Sequence, residues 1–272
     1  MNIGFIGTGN LANAMIKGIL NAKAVDAKNI FAYDIDAAKL KDVVQQYAIN
    51  SEHSAEKIAE KCDVVLLVIK PADFPALLQQ LDATLKIHDP LIISAAAGNS
   101  LEYVSSLLSY KPSLVRIMTN INATIGAAMS AYCTNGRPSQ AQLELVEKLC
   151  LSFGEVTPLD EKYFSMFGVL AGSAPAFAYM FIDELARAGV KIGMNKKLAL
   201  QIAAQTILGS AQYILESGDH PYELIDRVCS PGGTTIEGIA ALQEFGFSNA
   251  ISKAVGRAFE KDATLASTRN DN

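Results

Sequence analysis

The sequence predicts an α/β chain in two parts, a parallel sheet covered on both faces and then an all-helical domain, and three observations predict it. A short apolar strand (Ile3, Phe5, Ile6) runs into Gly7, Gly9 and Ala12 at G-x-G-x-x-A spacing and then into an apolar-periodic helix (Leu11, Met15, Ile16, Ile19, Leu20). Near-continuous apolar runs, VVLLVI and LIISAA among them, then alternate with helical stretches, as in strands buried on both faces. From about Asp160 the strands stop and only helical patterning remains. The expected division is a Rossmann-type dinucleotide-binding domain over residues 1–158 and a helical domain over residues 159–272.

The glycine-rich turn has a chemical reason for each small residue. Gly7 makes the tight turn, Gly9 lets backbone N–H groups approach a pyrophosphate, and Ala12 lets helix and strand pack closely. Phosphates then sit at the positive end of the helix. A second strand over Ile30–Tyr33 ends in Asp34, the acid at the spacing expected for a ribose contact. The order continues with a helix over Ala37–Tyr47, a strand over Asp63–Ile69, a helix from about Asp73, a strand over Leu91–Ser94 and a helix after Asn99. Strands at Leu114–Met118 and Ala127–Cys133, a helix over Gln140–Ser152 and a short Glu155–Thr157 strand close this half. In the second half, helices follow one another with short connections, and the first is so rich in small and apolar residues (Ala171, Gly172, Ala174, Ala176, Ala178) that burial almost all round is expected, through subunit contacts.

Composition narrows the function. With 272 residues, half of them hydrophobic, the chain has enough material for two cores. The net charge is −5 with acids and bases interspersed, and no basic stripe supports a nucleic-acid role. No uninterrupted apolar run approaches the ~20 residues of a membrane span, and the first strand follows Met1 directly, so a cytoplasmic protein without membrane attachment is expected. Cys62, Cys133, Cys150 and Cys229 are isolated in sequence, with no C-x-x-C and no histidine at ligand spacing; reduced core thiols and no metal site are expected.

Ligands of open parallel sheets bind outside the carboxyl ends of the strands. Val68, Ile69, Lys70 and Pro71 end one strand, and Ser94 followed by Ala95, Ala96, Ala97 and Gly98 ends the next. Small side chains there suit either a bound ring or tight helix–sheet packing, and spacing alone supports both. The second informative loop is Ser230-Pro231-Gly232-Gly233-Thr234-Thr235, between two expected helices. Thr234 and Glu237 form a T-x-x-E capping box on paper; the same loop also offers N–H groups and hydroxyls to an anion such as a carboxylate. His53 and His88 fall in expected loops, and His220 before Pro221 reads as a helix-start residue. Among the local patterns there is no Ser-His-Asp, Cys-His or H-E-x-x-H arrangement.

These residues carry a resemblance over essentially the whole chain. IGFIGTGNLANAMIKG, VIKP at Val68–Pro71, SAAAG at Ser94–Gly98, RIMTN at Arg116–Asn120, LAGSAPAFAY at Leu170–Tyr179, AGVKIGM at Ala188–Met194 and above all CSPGGTTIEGI at Cys229–Ile239 occur in order. On these motifs the sequence resembles the pyrroline-5-carboxylate reductase family. The resemblance implies reduction of the cyclic imine 1-pyrroline-5-carboxylate to L-proline with NADPH or NADH, the last step of proline synthesis. By position it implies that Gly7, Thr8, Gly9, Asn10, Leu11 and Ala12 hold the pyrophosphate. Asp34, Val68, Lys70, Pro71, Ala95, Ala96, Ala97 and Asn120 would complete the coenzyme site. Ser230, Gly232, Gly233, Thr234 and Thr235 would hold the substrate carboxylate, with the Thr235 hydroxyl near the imine nitrogen as the catalytic group. It further implies a homodimer through interleaved helical domains, the substrate loop of one subunit completing the site of its partner, and in some members a ring of dimers. Two positions depart from the family pattern: Tyr33-Asp34-Ile35-Asp36 stands where many members carry a serine, threonine or arginine suited to a 2′-phosphate, and His53-Ser54 where many carry an asparagine. Asp34 therefore points toward NADH.

Two other readings of the chain are an NAD(P)-dependent hydroxyacid dehydrogenase and a non-catalytic NAD(P)-sensing dimer. The first typically needs a lysine on the long helix after the nucleotide domain, and Leu170–Glu184 contains none. The intact SPGGTT loop argues against the second.

Overall fold

The computed structural model describes residues 1–270, with side chains as far as Asp262 and at Thr264. The chain forms two compact units, one built on Met1–Gly172 and one on Ser173–Asp262.

The first unit is a twisted eight-stranded sheet in the order β3-β2-β1-β4-β5-β6-β7-β8. Its elements run β1 (Ile3–Ile6), α1 (Asn10–Asn21), β2 (Ile30–Tyr33), α2 (Ala37–Tyr47), β3 (Asn50–Ser51), α3 (Ala55–Lys61), β4 (Val64–Leu67), α4 (Phe74–His88), β5 (Leu91–Ser94), α5 (Leu101–Ser106), β6 (Leu114–Met118), β7 (Ala128–Thr134), α6 (Gln140–Leu151), β8 (Gly154–Pro158) and the one-turn α7 (Phe164–Phe167). Strand β1 is central: Ile3 pairs with Ile30 of β2 on one side and with Val64 of β4 on the other, both in parallel register. The chain thus winds outward from β1 to β2 and β3, then returns to β4 beside β1, which makes the β1/β4 junction the point where ligands of such sheets bind.

Local chemistry starts and stops these helices. The Asp36 carboxylate accepts from the N–H groups of Ala38 and Lys39 to open α2, and Ser139 with Gln142 forms a reciprocal capping box on α6. Both faces of the sheet are covered. Ile3 and Phe5 pack with Met15, Ile16 and Ile19 of α1 and with Val146 and Phe153 on one side. Ile6, Val65 and Leu67 pack with Ile58 of α3 and Leu78 and Leu81 of α4 on the other. Burial of these aliphatic faces, at roughly 1.5–3 kcal/mol per fully buried large side chain, is what holds the layers together.

Several expectations change here. The short β3 and the α3 helix were not foreseen: a two-residue edge strand has no alternation to detect, and AEKIAEK is only two turns long, with Ala55, Ile58 and Ala59 its only buried residues. The sheet is also not wholly parallel, because β7 runs antiparallel to β6 with Arg116 opposite Cys133. His88 is not in a loop but ends α4.

The second unit comprises α8 (Ala174–Lys191), preceded by a π-helical stretch at Gly168–Ser173, then α9 (Lys196–Ser217), α10 (Pro221–Val228), α11 (Thr234–Glu244) and α12 (Phe247–Asn270) as far as Asp262. His220 does start a helix, its Nδ1 accepting from the Tyr222 N–H at 3.2 Å. An ion cluster ties α8 to the start of α9: Asp183 accepts from Arg187 Nε at 2.5 Å and pairs with Lys196. Among the described residues, the apolar core of this unit is nonetheless only Ala186, Ala199 and Ala203, with Ile182 against them.

The α8 segment is therefore not buried almost all round by its own chain. In α8, Tyr179 is 57% and Met180 69% exposed; in α9, Leu208 is 60% and Leu215 84% exposed. Two helices, over Glu161–Lys191 and Lys196–Ser217, are long and apolar enough to cross a membrane by length and composition alone, although neither contains an uninterrupted apolar run of that length. Reading only uninterrupted apolar runs misses them, because scattered polar residues break each run without making the helix polar.

Candidate active site

The sheet brings the first group of candidate residues to one edge. Gly7 and Thr8 follow β1, Asp34 follows β2, Val68 to Pro71 follow β4, Ala95 to Ala97 follow β5 and Asn120 follows β6. The backbone at Gly7 has φ +97°, and a Cβ there would lie 2.4 Å from the Val68 carbonyl oxygen, so the turn beside β4 requires glycine. Gly9 is different. It caps α1 with extended backbone, and a Cβ built on it meets nothing within 4 Å. No side chain caps α1 and no acid lies in its first turn. The helix therefore presents free N–H donors and a positive end to open space, the cradle a pyrophosphate takes.

Asp34 is tied to that turn. Its Oδ2 accepts from the Thr8 N–H at 2.6 Å and from the Thr8 hydroxyl at 2.9 Å, while Oδ1 accepts from the Asp36 N–H at 2.9 Å. The carboxylate thus braces the glycine turn as well as facing a cavity of about 530 Å³ lined by Gly7, Gly9, Ile35, Lys39, Val68 and Lys70. Asp36 and Lys39 pair across the same cavity at 3.2 Å, and the Asp36 carboxyl is held below the usual range, first by the Lys39 N–H and then by the Lys39 ammonium. A second cavity, of about 870 Å³, lies along α1. It is lined by Asn10, Leu11, Asn13, Lys17, Asn120 and Thr124 among others. In the loop after β5, Ala95 is half-buried and Ala97 exposed, whereas the Ala96 side chain is buried.

Residues the sequence reading passed over also shape this edge. Asn13 donates to the Thr8 carbonyl at 2.8 Å and the Gly9 carbonyl at 3.1 Å, locking the turn from inside the helix. Ala76, Leu77 and Gln80 of α4 wall the smaller cavity; their spacing on the helix that follows Pro71 was the available signal. Asn120 donates to the Ala171 carbonyl at 3.0 Å and caps the next turn by accepting from the Asn122 N–H.

In the second unit, Ser230, Gly232, Thr234 and Thr235 are exposed on one tight turn. The Gly233 N–H donates to the Ser230 carbonyl at 3.0 Å, and Gly232 sits at φ +68°. The T-x-x-E capping box is not formed. Gly233 is the cap residue of α11, with no side-chain cap, so Thr234 and Thr235 are already its first two helical residues and Glu237 lies one position too far along. Both hydroxyls are left for another partner.

The thiols of Cys62, Cys133 and Cys150 are buried and pushed up to about 12 by that burial. They stay protonated and unreactive. No cluster of metal-ligating side chains occurs among the described residues.

A doubly wound sheet, a glycine turn opening an uncapped helix and an acid after β2 define a nicotinamide-dinucleotide-dependent oxidoreductase, here joined to a helical domain with a small alanine core. The comparisons agree. Residues 161–265 match the pyrroline-5-carboxylate reductase dimerisation domain, and residues 2–98 match the domain described as NADP oxidoreductase, coenzyme F420-dependent. Pyrroline-5-carboxylate reductase of Aquifex aeolicus is 37% identical over 97% of each chain. The enzyme of Streptococcus pyogenes is 37% identical with a TM-score of 0.86, covering 97% of this chain and 98% of that one. That of Plasmodium falciparum, crystallised with NADP bound, is 27% identical with a TM-score of 0.87 over 98% of each. The chain belongs to the pyrroline-5-carboxylate reductase family.

Proposed function

We propose that this chain reduces 1-pyrroline-5-carboxylate to L-proline with NADH or NADPH, residues 1–158 holding the coenzyme and residues 159–272 forming the dimer and holding the substrate. The observation that carries the reading is the α1 start: an open, uncapped helix end behind Gly9, without acids, beside a cavity that runs to Asp34. Gly7 to Ala12 hold the pyrophosphate; Asp34 faces the adenosine ribose; Val68, Lys70, Pro71, Ala95 to Ala97 and Asn120 border the nicotinamide half.

When bound, the reduced nicotinamide would supply a hydride to the carbon of the protonated imine; the C=N π electrons pass to nitrogen to give the ring amine, which takes a further proton from water. The protein's part is placement. Ser230 and the N–H groups of Gly232, Gly233 and Thr234 hold the carboxylate at the start of α11, which presents one face of the ring. The Thr235 hydroxyl hydrogen-bonds the nitrogen as it becomes an amine. Orienting two bound molecules accounts for several kcal/mol of a barrier, on the order of 7 or more in favourable cases, so no strong acid is needed.

The substrate loop of one subunit serves the nucleotide domain of its partner, and dimers assemble further into a ring. The setting is the cytoplasm, in keeping with buried thiols that favour the reduced state. Turnover of pyrroline-5-carboxylate with each coenzyme tests the activity directly; a protein that binds coenzyme yet leaves the imine untouched is a sensor and not this enzyme.

A further inference from the structure

An arginine buried in the sheet has no place in the chemistry above. Arg116 lies in β6, 7% exposed, opposite Ser94 of β5 in the ladder. Its guanidinium stacks over the Phe164 ring at 4.7 Å, and Nη1 donates to Glu161 Oε1 at 2.8 Å. The same oxygen accepts the N–H of Leu101, the first residue of α5, at 2.8 Å. A buried guanidinium is costly unless paired, and a carboxylate at a helix start is favoured by the orphan N–H groups there. The two needs meet on one atom.

What this atom holds is the loop between β5 and α5. Ser94 begins it and Leu101 ends it, and between them lie Ala95 to Ala97 and Gly98, whose φ is +86°. The Ser100 hydroxyl caps α5 at the Tyr103 N–H, which leaves the Leu101 N–H to Glu161. Asn99 donates across to the Pro71 carbonyl at 3.3 Å, joining this loop to the other lip. We propose that Arg116 and Glu161 are positioning residues: the pair braces the far end of the Ala95–Ser100 loop against β6 and so sets the surface on which the nicotinamide half of the coenzyme rests. Charge-assisted bonds on a shared oxygen give this brace more stiffness than a neutral cap would.

The inference rests on reading Ala95 to Ala97 as the nicotinamide lip, and the test separates the two. NADH binding by the full-length protein is titrated through the coenzyme's own fluorescence, alongside KM for coenzyme and for imine and the melting temperature. Glu161→Ala removes the shared acceptor, and the Kd and KM for NADH rise tenfold or more while KM for the imine at saturating coenzyme stays within twofold. Glu161→Gln keeps an acceptor oxygen and restores NADH affinity to within threefold. A Glu161→Ala protein that melts lower but binds NADH like the parent overturns the proposal, reducing the pair to a stability element. Should Glu161→Ala not fold, Leu101→Pro deletes the same N–H at a helix position that tolerates proline. Unchanged NADH affinity in that variant overturns the proposal equally. A parent protein that neither binds NADH nor reduces the imine refutes the functional reading and this proposal with it; a fully active parent with unaffected variants refutes only the brace.

Discussion

Asp34 braces the glycine turn and, in the proposed function, also faces the adenosine ribose. Its carboxylate takes three hydrogen bonds from Thr8 and Asp36, so it is part of the turn, and its charge disfavours a 2′-phosphate beside it. Asp34→Ser is expected to raise the NADPH-to-NADH ratio of kcat/KM and to lower stability by about 1.5–3 kcal/mol, the usual worth of hydrogen bonds to a charged group. Kinetics with both coenzymes and a denaturant melt check the two effects; an unchanged ratio removes Asp34 from coenzyme choice. Thr235 separates rate from stability in the opposite way. Because α11 uses Gly233 as its cap, Thr235→Val should leave the melting temperature near that of the parent. The rate kcat should fall about tenfold or more, since ~1.4 kcal/mol lost from the transition state is a factor of ten. A valine variant with normal kcat would end the catalytic assignment.

At the scale of elements, the start of α1 separates a glycine that the turn requires from one that the protein leaves in open space, where the proposed pyrophosphate approaches. Gly7→Ala forces a side chain into the left-handed region and against the Val68 carbonyl, and strain of that kind costs on the order of 1–3 kcal/mol. Gly9→Ala meets nothing in the protein and has ordinary backbone angles. It should melt close to the parent while its coenzyme KM rises at least tenfold, because the methyl group occupies the approach of the pyrophosphate. Equal loss of stability in both variants would contradict that distinction. The sequence supports both glycines by motif alone; only the φ angle and the contact at Val68 tell their roles apart.

At the scale of the molecule, the helical unit is unfinished in a single chain. Its core of three alanines cannot offset the conformational entropy of its long helices, while Met180, Leu208 and Leu215 stand open to solvent. Residues 161–265 match a dimerisation domain, and a second copy accounts for these apolar faces. Stability should therefore rise with protein concentration, as for an obligate dimer. Met180→Glu should shift the protein toward dissociated or aggregated species with loss of activity. Sedimentation that finds a folded, active monomer at micromolar concentration would contradict this account.

Much of the nucleotide half was legible in the sequence because its signals are local. α2, β2, β5 and β6 fall at the expected residues, since the alternation of buried strands and amphipathic helices is written in side-chain spacing. The glycine turn is written in a few adjacent residues. What spacing could not convey is pairing between distant segments. The antiparallel β6–β7 edge, the hold of Asp34 on Thr8 and the shared oxygen of Glu161 depend on residues brought together across the fold. The second loop marks the same boundary. Its composition identified Ser230 to Thr235 as special but proposed a Thr234–Glu237 cap, and the tertiary structure moved the helix start back to Gly233. A cap depends on where the backbone leaves helical geometry, which the Gly232 turn decides and the residue names alone do not.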